Sequence, residues 1–137
     1  MNDEHKRALR FGWTSLTLWA GLGLALEAGQ GYKLGPYIDD ELAQRMLRLG
    51  HAHGVLLACV HLLYANVGLP LLASRADNGR SIGRLLRIAG VLMPVGFALS
   101  AFGHRESDPG FAVWLVPLGA LCLLIALTGL ARASFRA

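Results

Sequence analysis

Two histidines stand one residue apart in Gly50-His51-Ala52-His53-Gly54, at the head of an apolar stretch. A third, His104, closes the next one. An imidazole beside hydrocarbon is costly and is usually kept because it binds something or moves protons. Neutral imidazole is a good ligand for haem iron and for copper. Helical residues are about 100° apart, so His51 and His53 diverge by roughly 200°. One metal ion cannot take both from a regular helix. The pair points instead to two different neighbours, such as the bundle interior and a subunit interface. If the apolar stretches run up and down, His51, His53 and His104 share one membrane face. A haem held by His51 or His53 together with His104 is then an ordinary arrangement, and copper or zinc on the same imidazoles is the alternative. The plainer reading is that these histidines lie in the headgroup layer and only hydrogen-bond.

Several other residues bear on that site. Glu27 is the single carboxylate inside an apolar stretch, at the expected depth of the three histidines. It either orients a ligand imidazole through its second nitrogen or passes protons, or it simply reaches water. His61 lies about 12 Å further along its helix than His53, near mid-membrane. There it is either a satisfied core histidine or a ligand, with Asn66, a carbonyl freed at Pro94 or a porphyrin group as candidate partners. Arg105 can pair with haem propionates or act as an interfacial anchor, and Arg45 and Arg48 invite the same two readings. His5 falls in a charged N-terminal tail and is expected to be solvated, as are Glu106 and Asp108. Cys59 and Cys122 have no CxxC spacing and read as small buried thiols.

The elements that must carry these residues are apolar. Of 137 residues, 54% are hydrophobic and 16% charged, and the mean hydropathy is +0.45. That composition suits an integral membrane protein with short loops. Four stretches, 11–28, 50–73, 81–103 and 111–131, are each about long enough to cross roughly 30 Å of hydrocarbon. The expected fold is therefore all-α: a single four-helix transmembrane domain over residues 1–137, an up-and-down bundle. The first stretch is too long for a cleaved signal peptide. Lys6, Arg7 and Arg10 precede the first stretch; Arg75, Arg80, Arg84 and Arg87 surround the second connection; Arg132 and Arg136 follow the last. The positive-inside rule then places both termini in the cytoplasm. The histidine face is outside, periplasmic if the membrane is a Gram-negative inner (plasma) membrane. The net charge of +4 is a topology signal and carries no nucleic-acid footprint.

Local signals refine the helices. Trp13 and Trp19 are placed toward an interface, and Gly29 and Gly31 mark the end of the first helix. Asp39-Asp40-Glu41 opens an amphipathic extension, ELAQRMLRL, that runs into the second span; acids in a first turn suit the helix dipole. Gly50 and Gly54 have GxxxG spacing, which permits close helix approach. Pro70, Pro94 and Pro117 interrupt the second, third and fourth helices, and Pro94 should bend its helix. No P-loop, dinucleotide fingerprint, nucleophile elbow or HExxH motif is present.

The stretch LRLGHAHGVLLACVHLLYA resembles the haem-ligating helices of haem–copper oxidase catalytic subunits. In that family one helix begins with a His-Gly or similar pair that ligates the low-spin haem, and another carries His-x-His serving two haems. Here the two features are fused as His51-Ala52-His53-Gly54. LSAFGHRESDPG, with His104, is similar to the close of the third helix of one of the family's four-helix arcs, where copper ligands are kept. The resemblance implies His53 as a low-spin haem ligand, His51 as a second haem ligand and His104 as a metal ligand. Gly103 and Arg105 flank His104 where the family has an adjacent histidine pair, and no His-Pro-Glu segment or active-site tyrosine motif occurs. What is implied is thus haem b binding and electron transfer, an oxidoreductase role at most, rather than oxygen reduction. One arc per chain further implies a homotrimer in membrane lipid, with an electron donor or acceptor that the sequence does not name.

Overall fold

The computed structural model describes residues 3–72, 76–102 and 108–135, and those residues form helices and no strand. The first helix, α1 (Asp3–Gly31), is followed by a single turn, α2 (Gly35–Ile38). The next, α3 (Glu41–Leu63), continues through a π-helical turn (Tyr64–Gly68) into the short α4 (Leu69–Leu71). After these come α5 (Ala76–Ser100), a 3-10 turn (Phe111–Trp114) and α6 (Leu115–Ser134). Three stretches are long and apolar enough to cross a membrane: Glu41–Leu71, Asn78–Ser100 and Phe111–Ser134. With 29 residues α1 is long enough to cross. It is less apolar, being punctuated by Thr, Ser, Gly and Trp and flanked by the charges of its first turns.

Helix ends follow the local chemistry. The Asp40 carboxylate accepts a hydrogen bond from the Ala43 amide at 2.8 Å and so caps α3. The expected start of the amphipathic extension is thus found one residue after its cap. α1 closes differently from the glycine signal at 29 and 31. The Leu34 amide donates to Gly29 carbonyl at 3.0 Å and the Lys33 amide to Gln30 carbonyl at 3.2 Å, which is a Schellman closure. Its left-handed position is taken by Lys33 (φ 50°), not by a glycine.

Packing runs along the chain: α1 on α3, α3 on α5, α5 on α6, with only slight direct contact between α1 and α5. Each neighbour is antiparallel. Gly12 meets Leu62 and Gly23 meets His51; Gly50 meets Pro94 and Gly79 meets Tyr64; Gly96 meets Leu115 and Gly129 meets Ile82. The result is a curved row with α1 and α6 at its edges. Of the apolar window of α6 only 11% is buried, against 44% in the other two spans, so α6 presents hydrocarbon on most of its circumference. Ala8, Tyr64, Ala65, Leu72, Ile82, Leu86 and Ala126 form one buried cluster. It lies at the end away from His51 and His53.

Candidate functional site

His51 and His53 leave α3 on opposite flanks, as their spacing requires. His51 turns to α1, where its ring lies against Gly23 so closely that a Cβ there would collide with it. Its Nδ1 is 2.7 Å from the Trp19 carbonyl oxygen. His53 turns to α5, its ring centroid 4.9 Å from that of Phe97, and its Nδ1 is 2.8 Å from the Leu49 carbonyl oxygen. A carbonyl can only accept, so each Nδ1 carries the proton. In the neutral ring that leaves Nε2 as a lone-pair donor toward a metal. Both rings are half-buried.

The same helix faces explain the two glycines of the GxxxG pair, which serve different neighbours. A Cβ at Gly54 would overlap the Trp19 indole, and one at Gly50 would stand 2.9 Å from the Pro94 carbonyl oxygen. Trp19 is therefore a packing residue whose own carbonyl orients His51.

The expected companions are distributed as follows. His104 and Arg105, expected as a further ligand and a propionate partner, lie with Glu106 outside the described residues. Glu27 is exposed on α1; the orienting role proposed for it is taken at both imidazoles by backbone carbonyls. Arg48 bonds to Gln30 and Gln44, tying α3 to the end of α1, while Arg45 is exposed. Among the described residues no group of three or more His, Cys, Asp or Glu is arranged to hold a metal ion. Cys59 and Cys122 are free thiols, Cys59 exposed and Cys122 half-buried.

His61 is completely buried. Its Nδ1 is 2.8 Å from the Leu57 carbonyl oxygen, and its Nε2 has no partner. Neither Asn66 nor a carbonyl freed at Pro94 meets it; Asn66 donates instead to Leu62 carbonyl at 2.8 Å. The expectation of a satisfied core histidine therefore holds for one nitrogen only. Phe11 stacks against the imidazole, with ring centroids 4.4 Å apart.

A second polar group was not visible in the sequence. Glu4, a neighbour of His5 in the charged N-terminal segment, is 7% exposed and paired with Arg87, whose Nη1 is 2.5 Å and Nη2 3.3 Å from its two oxygens. A Cβ at Gly83 would come within 2.9 Å of both the Glu4 Cδ and the Tyr64 hydroxyl oxygen. That hydroxyl donates to the Gly79 carbonyl at 2.5 Å. Arg87, counted with the cations around the second connection, sits inside α5 and faces α1. The available signal was spacing: Glu4, Ala8, Gly12 and Ser15 fall on one face of α1, and all four are buried.

Comparison with known proteins adds no relative: no family model, no curated protein and no solved structure matches the chain.

Proposed function

We propose that this chain is a haem-binding membrane protein acting in electron transfer or redox chemistry. The observation that carries the reading is the state of the two divergent imidazoles. His51 and His53 each tie Nδ1–H to a backbone carbonyl and so present Nε2 as a ligand nitrogen, the arrangement usual for metal-bound histidine. Haem b would be held by His53 toward α5 and by His51 toward α1, with His104 and Arg105 as further ligand and propionate partner. Iron of the bound group supplies a one-electron couple; the chain supplies oriented imidazoles and an apolar wall.

Further parts of the proposal are a four-helix transmembrane arrangement with both termini cytoplasmic, the histidines on the periplasmic side of a plasma membrane, and a homotrimer. Their support is the distribution of Lys and Arg, the resemblance to one arc of a haem–copper oxidase subunit, and an open row whose edges invite a neighbouring copy.

The test is an absorption spectrum of the detergent-purified protein before and after dithionite, with metal analysis. A Soret band that shifts on reduction, with resolved α and β bands, is expected, and haem content should fall in His51→Ala and His53→Ala. Unchanged haem in both variants rejects these ligands. Copper or zinc without iron would make the chain a metal-binding protein for sensing or delivery, and a colourless, metal-free protein a scaffold subunit.

A further inference from the structure

Between α1 and α5, where the row curves, lies a half-open cavity of about 380 Å³. Its walls are Phe11, Thr14, Ser15 and Trp19 from α1 and Gly90 and Val91 from α5, joined by aliphatic neighbours. Its surface is almost entirely apolar, and the two hydroxyl side chains stand on one wall. Two of these residues also touch His61. Phe11 stacks on the imidazole. A Cβ at Gly90 would be 3.0 Å from both His61 Cε1 and Phe11 Cε1. His61 therefore stands directly behind the junction of Phe11 and Gly90, with Nε2 buried and unpartnered.

We propose that the cavity and His61 form one binding site, for a lipid-soluble molecule with an aromatic or aliphatic body and a single hydroxyl. The proposal does not depend on the haem reading. Its logic is hydrogen-bond accounting. Nδ1–H is committed to the Leu57 carbonyl, so in the neutral ring Nε2 can only accept. A buried acceptor without a donor is unfavourable, and the site gains when a donor arrives. Water is a poor candidate beside Nε2, because the surrounding wall offers few polar partners. A hydroxyl carried on an apolar body satisfies both halves of the site: the body fills the cavity against Phe11 and Trp19, and the O–H reaches Nε2. Phe11 is the cover that must turn aside, and Gly90 leaves the space for the approach.

The occupant class fixes the experiment. In lipid nanodiscs, a Trp13→Phe/Trp114→Phe variant leaves Trp19 as the only indole of the three in the chain, and Trp19 lines the cavity. Its emission is titrated with 4-nonylphenol and with 4-nonylanisole, the same body without the donor. The expected result is a saturable change, with the phenol binding about tenfold tighter than the ether, the factor one net hydrogen bond supplies. His61→Phe should erase that preference while the ether still binds, and Phe11→Ala should speed binding. Val91→Phe, at an exposed wall position, should weaken both ligands and serves if His61→Phe does not fold. Equal affinity of phenol and ether in the unsubstituted site would overturn the role of His61. A non-saturating response would reduce the cavity to a groove filled by bulk lipid.

Discussion

At the scale of single residues, the chain separates two kinds of histidine. His51 and His53 were legible from sequence, because the fixed angle between helical residues sends them to different neighbours whatever the tertiary fold. What sequence could not give is the identity of those neighbours. Gly23 is the counterpart of His51: Gly23→Val should push the imidazole away from α1. In the haem reading this would perturb the spectrum of the His51 site while sparing the His53 site, a difference that low-temperature absorption or electron paramagnetic resonance resolves. The Glu4–Arg87 pair was not legible, since its members are 83 residues apart and Glu4 stands among five other charged or histidine side chains in the first ten residues. Only the α1 packing face reveals it. Removing one partner of a buried pair strands the other charge, so Arg87→Leu should lower stability by about 3 kcal/mol. Glu4→Gln in the same chain should restore much of that loss, as read by thermal unfolding in detergent.

At the scale of elements, apolar runs located the helices well but not their ends. α1 begins eight residues before the expected span because its charged first turns remain helical and bury Glu4 and Ala8. α5 likewise begins at Ala76, ahead of the expected 81. Composition marks where hydrocarbon begins, whereas backbone hydrogen bonding carries a helix past that limit. The closure of α1 illustrates the opposite error: glycines at 29 and 31 suggested the stop, and the left-handed residue is Lys33. A side chain with a Cβ is strained there, so Lys33→Gly should stabilise the protein by about 1 kcal/mol. Unfolding that is unchanged or easier in this variant would contradict the closure. The π-helical turn after Leu63 was equally invisible. It places Tyr64 against α5 and inserts one residue into the 3.6-residue period, so an ideal wheel drawn through α3 and α4 fails beyond that point.

At the scale of the whole molecule, the sequence specified antiparallel neighbours through its short connections, and the structure shows how they pack. The helices lie in a row rather than a closed ring, so the proposed oligomer would use its two open edges. Chemical cross-linking in native membranes should therefore capture homo-oligomers, trimers in the present proposal, with links joining α1 of one chain to α6 of the next. Purely monomeric protein under mild extraction would count against that assembly. The row also has unlike edges: α1 carries hydroxyls, glycines and indoles, and α6 is nearly pure hydrocarbon. Contact between unlike edges is heterologous, so it does not pair off as a two-fold dimer does; it propagates until rotation closes it. The curvature of a single chain would then set the number of subunits. A substitution at the α3–α5 crossing, such as one at Gly50, could change stoichiometry without touching any residue at the contact between chains.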